Sequence, residues 1–81
     1  MDVFAQRLRE LRQEKGLSMK QLAKEIGTTD AAISNWENEI NEPKISYLKS
    51  IAVFFNVSTD YLLGLKTKIS YNRLHISTNK R

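Results

Sequence analysis

The stretch Ser18 to Glu37, SMKQLAKEIGTTDAAISNWE, gathers the side chains whose types and spacing offer recognition chemistry. It reads as two short amphipathic helices joined by a tight turn at Gly27, the second of them polar and small where it would face outward. A helix pair at this spacing can push one helix into the major groove of DNA. Catalytic chemistry is poorly supplied by comparison. The chain has no cysteine, one histidine and no phosphate-cradling glycine loop, so no catalytic residue is nominated and an enzyme is not expected. His75 has no second ligand at metal spacing and reads as a solvated side chain; neither a metal nor a cofactor is expected.

The elements that must position this segment follow from periodicity. Leu22, Ala23 and Ile26 recur at helical spacing, as do Ala32, Ile33 and Trp36 beyond the turn. Ala23 is small enough to let the two helices approach closely. Ser18 and Gln21 form a capping box, and Thr29 caps the helix that follows, with Asp30 in its first turn at the positive end of the dipole. A first helix from about Asp2 to Lys15 carries Phe4, Leu8 and Leu11 as its apolar stripe and stops at Gly16. Glu39 to Pro43 is a polar connection. A fourth helix runs from Lys44 or Ile45 to Phe55 with Leu48, Ile51, Ala52 and Phe55 inward, and Asn56 terminates it in a left-handed conformation. Ser58 caps a short fifth helix through Leu63, closed by Gly64. No strand signal precedes residue 65 and no internal repeat is present. The expected class is all-α, a compact five-helix bundle over residues 1–64 followed by a basic tail or linker, residues 65–81.

Composition sets the outer limits. Eighty-one residues make one small domain, for which a dimer interface would add needed burial. The longest apolar run, Ile51 to Phe55, is far below the ~20 residues that span a bilayer, so no membrane partner is expected. No signal peptide is visible, and a soluble, cytoplasmic protein is the default. The net charge of +4 is unevenly spread: residues 65–81 carry five bases and no acid, residues 1–64 eight bases against nine acids. DNA affinity therefore needs bases clustered on one face of the body, or help from the tail.

The ordered series Phe4, Leu8, Arg12, Gly16-Leu17-Ser18, Leu22-Ala23, Gly27, Ile33-Ser34, Trp36-Glu37, Pro43, Leu48, Ile51-Ala52 and Phe55 to Gly64 resembles the XRE family of helix-turn-helix domains, which includes phage Cro and CI-type repressors. The resemblance covers residues 3–64. It implies a lambda-repressor-like domain that binds operator DNA, commonly as a two-fold dimer, to control transcription.

Carried over position by position, the resemblance nominates Thr29, Asp30, Ala31, Ala32, Ser34 and Asn35 to face the bases. Asn35 suits direct readout, because its amide can pair both N6 and N7 of adenine, and the two alanines can meet a thymine methyl. Asp30 departs from the family pattern; its carboxylate either accepts from cytosine N4, points away, or serves only as a cap. Phosphate contacts fall to Met19, Asn38, Asn41 and Lys44, although Met19 replaces the usual Gln and can only pack. Lys20 and Lys24 read as solvated charges. Arg12 and Glu37 resemble a partly buried ion pair between the first helix and the end of the third, set against the alternative of two solvated charges. Trp36 shares the stripe of Ile33 and is assigned to the core, and Tyr47 could reach a phosphate through its hydroxyl.

Apolar side chains left over on the fourth and fifth helices, Val53, Phe54, Tyr61 and Leu63, are the expected homodimer surface. Beyond Gly64, the alternation of Ile69, Tyr71, Leu74 and Ile76 fits a strand or hairpin, an arm on a dimer mate, or a linker. Two functions remain open at this point. One is a sequence-specific transcriptional regulator of repressor type, with double-stranded DNA and a homodimer mate as partners. The other is a protein-interaction module on the same scaffold, such as an antitoxin that neutralises a toxin or regulator.

Overall fold

The computed structural model describes residues 2–66 and contains five helices among them: α1 (Asp2–Glu14), α2 (Met19–Ile26), α3 (Asp30–Glu37), α4 (Ile45–Phe55) and α5 (Thr59–Leu62). α2 packs on α3 and α4, while α1 spans α3 and α5, so α3 is held from behind by two other helices. One core joins them. Phe4, Leu8, Leu22, Ile33, Ile51, Val57 and Leu62 are fully buried at its centre, and Trp36 and Phe55 close its edges.

Local chemistry explains the helix boundaries. Ser18 Oγ accepts from the amide of Gln21 at 3.0 Å, and Gln21 Oε1 accepts from the amide of Ser18 at 2.8 Å. Two donors that the helix start would leave orphaned are thereby satisfied. Thr29 and Ser58 cap α3 and α5 in the same way, their hydroxyl oxygens accepting from the amides of Ala32 and Tyr61. α4 differs: its N-cap is Lys44, whose side chain makes no capping hydrogen bond.

The helix ends are left-handed turns. At the end of α3 the amide of Ile40 donates to Asn35 O at 2.9 Å and that of Glu39 to Trp36 O at 3.3 Å, which is the Schellman arrangement. The residue that must take positive φ there is Glu39, at 62°. Asn56 takes the equivalent place after α4 at 57°, as its type suggests; a glutamate does not announce itself as a terminator. Gly64 is held by two constraints at once. Its φ is +82°, and a Cβ on it would meet Val3 Cγ1 at 3.0 Å.

Small differences from the sequence reading occur at the ends. α1 stops at Glu14 rather than Lys15, and α5 at Leu62 rather than Leu63. The ordered contacts continue two residues past Gly64, because Arg7 Nη1 donates to Lys66 O at 2.7 Å and also to Tyr61 O. The expected strand, arm or linker of the tail, and His75, lie outside the described residues.

Candidate nucleic-acid interface

The outward side of α3 is what the rest of the fold presents. Ile33, Trp36 and Glu37 of this helix are buried, which turns Ala31, Ser34, Asn35 and the C-capping Asn38 toward solvent. Thr29, Asp30 and Ala31 are exposed, and Ser34 and Asn35 are half-buried on its flanks. Ala32 is half-buried against the core, so its methyl looks along the cleft toward α4 rather than straight out. Thr29 Oγ1 accepts from the Ala32 amide at 3.1 Å, which leaves its hydroxyl proton to be donated elsewhere.

A cleft of about 330 Å³ separates α3 from the start of α4. Asn35 lines it together with Asn41, Lys44 and Tyr47, and Glu42 also reaches its wall. A base-reading candidate and two phosphate-binding candidates, from segments several residues apart, thus meet at one concavity. Lys44 adds a cation at the start of α4, where the helix dipole also favours anions. Tyr47 does not extend freely from this rim. Its ring packs on Trp36, 5.5 Å between centroids, and Trp36 itself is buried as core.

Two further residues nominated for the phosphate rim lie outside this cleft. Met19 is half-buried and packs against the core, so it supplies no polar contact. Asn38 is exposed, but its Nδ2 donates back to Ser34 O at 2.8 Å and to Ser34 Oγ at 3.3 Å. Its amide closes the end of α3, and Ser34 is engaged in the same knot. For Asn38 the cause is that a helix end satisfies its own polar groups; Met19 packs because its thioether side chain is apolar.

What holds α3 in place is a buried carboxylate. Glu37 has a fully buried side chain, and Arg12 donates to it twice, Nε to Oε2 at 2.7 Å and Nη2 to Oε1 at 2.9 Å. Arg12 Nη1 also donates to Leu17 O at 2.9 Å, tying in the turn ahead of α2. The hydrogen bond to Glu37, reinforced by its charge and opposed by burial, holds the Arg12 guanidinium above its ordinary range. Sequence reasoning missed Arg9. Its Nε lies 3.3 Å from Glu37 Oε1 and its Nη2 donates to Glu37 O at 3.2 Å. α3 has no base in its own last turn; α1 supplies two, and positive charge there suits the helix dipole. The available signal was the three-residue spacing from Arg9 to Arg12, which puts both on one side of α1.

The surface expected to pair two copies is less open than the sequence suggests. Only Val53 stands clear, at 72% exposure. Phe54, Tyr61 and Leu63 are half-buried against the core. Lys15 Nζ sits 5.3 Å from the Phe54 ring, and the Arg7 guanidinium covers the Tyr61 ring at 4.1 Å. Among the described residues there is no group of acids, histidines and cysteines that could hold a metal, and no helix long and apolar enough to cross a membrane.

Comparison with known proteins agrees with this geometry. A family model described as helix-turn-helix matches residues 8–62. The uncharacterized HTH-type transcriptional regulator YobD of Bacillus subtilis is 40% identical over 63 residues, covering 78% of this chain and 56% of YobD. The chain thus spans about half the length of that relative. Among solved structures, the N-terminal DNA-binding domain of SinR from Bacillus subtilis superposes with a TM-score of 0.72 at 30% identity, covering 78% of this chain and 93% of that one. The P22 c2 repressor, solved in complex with a synthetic operator, superposes with a TM-score of 0.70 at 30% identity, over 73% of this chain and 89% of that one.

Proposed function

The chain belongs to the XRE-type helix-turn-helix family, and from that premise we propose that it is a sequence-specific DNA-binding transcriptional regulator of repressor type. α3 enters the major groove, Thr29, Asp30, Ala31 and Asn35 face the bases, and Asn41 and Lys44 meet the phosphates. The observation that carries this is the division of α3 into two sides. Its inner side is buried and bolted through Glu37 to Arg9 and Arg12, while its outer side is small, polar and uncovered. A rod so fixed costs little further ordering when it docks.

Two copies would pair about a two-fold axis through the Val53 side of α4 and α5, with Phe54, Tyr61 and Leu63 at its margin. Such a dimer reads a palindromic site when its two α3 helices stand ~34 Å apart, one turn of B-DNA. Lys49 and Asp60 flank Val53 on the same surface and would meet each other across such an axis.

The test is a gel shift with palindromic duplexes from the DNA upstream of the protein's own gene, run at low and moderate salt. A shift that survives excess unrelated duplex and weakens as salt rises supports the regulator reading. Absence of any shift at low salt, with tight co-purification of a protein partner, supports the interaction module instead.

A further inference from the structure

We infer that Asp30 determines specificity at one base pair of each half-site, accepting a hydrogen bond from the exocyclic amino group of a cytosine in the major groove. The inference rests on the DNA-binding reading above and deepens it at a single position. An acid at a helix start is ordinarily explained as a cap. Here Thr29 fills that role, because its Oγ1 accepts from the Ala32 amide at 3.1 Å. Asp30 lies one residue further on, is exposed, and has no hydrogen bond or ion pair among the described residues. The helix dipole favours an acid there, as at Asp60 in α5, but does not require one, since α2 has none in its first turn.

A carboxylate on a surface apposed to phosphates is repelled unless it meets a donor. The major-groove edges leave few choices. Guanine shows two acceptors, thymine an acceptor and a methyl group, and adenine a donor beside an acceptor that would oppose the second carboxylate oxygen. Cytosine N4 is the donor without a neighbouring acceptor on its own base. Asp30 is also free to approach: Ala31 beside it carries only a methyl, and Ser34 one turn on is occupied by Asn38.

Selection from randomised duplexes, using the full chain as wild type, Asp30→Ala and Asp30→Asn, tests this. In the wild-type site one position of each half-site should favour cytosine by about tenfold or more. Asp30→Ala should flatten that position alone and bind unrelated duplex several-fold more tightly, since a like charge has been removed. Asp30→Asn, which keeps the size of the side chain, should shift the preference there toward adenine. A matrix for Asp30→Ala that matches wild type at every position overturns the inference and leaves the regulator reading standing. So does a loss of preference at all positions together in both variants, with circular dichroism reporting the folded helix content. Wild-type protein that enriches no sequence at all defeats the DNA-binding reading, and this inference with it.

Discussion

Arg12 holds Glu37 through two hydrogen bonds, at 2.7 and 2.9 Å, and so fastens the start of the chain to the end of the helix that faces outward. Glu37 is fully buried. A charge in that position is tolerated only with its donors in place.

Arg12→Ala should therefore destabilise the fold by about 3–5 kcal/mol, because it leaves a buried carboxylate without its principal partner. Arg9→Ala should cost less, about 1 kcal/mol, since Arg9 is 45% exposed and its bonds are longer. Urea unfolding of the two variants checks the order. Arg12 is held above its ordinary range, so the stabilisation it contributes is fully present at neutral pH, well below that range. It fades only as the pH climbs through the raised value. No loss of stability attributable to Arg12 is expected between neutrality and moderate alkalinity.

Glu39→Gly should stabilise the protein. Glu39 sits at φ 62° in the Schellman turn that ends α3. A left-handed conformation costs a side-chain-bearing residue about 1–2 kcal/mol, of which glycine's greater unfolded freedom takes back about 0.5–1. A net gain of about 0.5–1 kcal/mol, seen as a rise in the thermal midpoint, is the expected result.

Ser18→Ala removes one half of the capping box on α2 and should destabilise by about 0.5–2 kcal/mol. Ser18→Asp, which keeps an acceptor at the N-cap, should recover most of that loss. Thermal denaturation followed by circular dichroism measures both.

Asn35 and Lys44 line the same cleft but should fail differently. Asn35→Ala should weaken specific binding by about 1–3 kcal/mol and relax preference at one base pair. Lys44→Ala should weaken all sequences alike and lower the salt slope by about 1. Binding isotherms at several salt concentrations, on specific and unrelated duplexes, separate the two.

Most of the scaffold was legible because the rules that built it are local. Ser18 with Gln21, Thr29, Gly27, Asn56 and Ser58 each declare a helix boundary within four residues, and the structure places a boundary at each. The apolar stripes through Leu8, Ile33 and Ile51 likewise assign a core without reference to distant contacts. What periodicity did not reveal depends on partners far along the chain or on a residue acting against its type. Arg9 reaches Glu37 across 28 positions, and Arg7 covers Tyr61 across 54. Glu39 takes a conformation that favours glycine. Asn38 spends its amide on Ser34, a choice made by geometry at the helix end rather than by side-chain type.

The central claim is that the uncovered side of α3 is the surface that meets DNA. The most direct measurement is a titration of isotopically labelled protein with the preferred duplex, following backbone amide and Asn side-chain resonances. The expected result is perturbation concentrated at Thr29 to Asn35 and at Asn41 to Tyr47, with Val53 little changed by DNA at fixed oligomeric state. Perturbation confined to the α4–α5 surface around Val53 and Asp60, with Asp30, Ala31 and Asn35 unmoved, would contradict it.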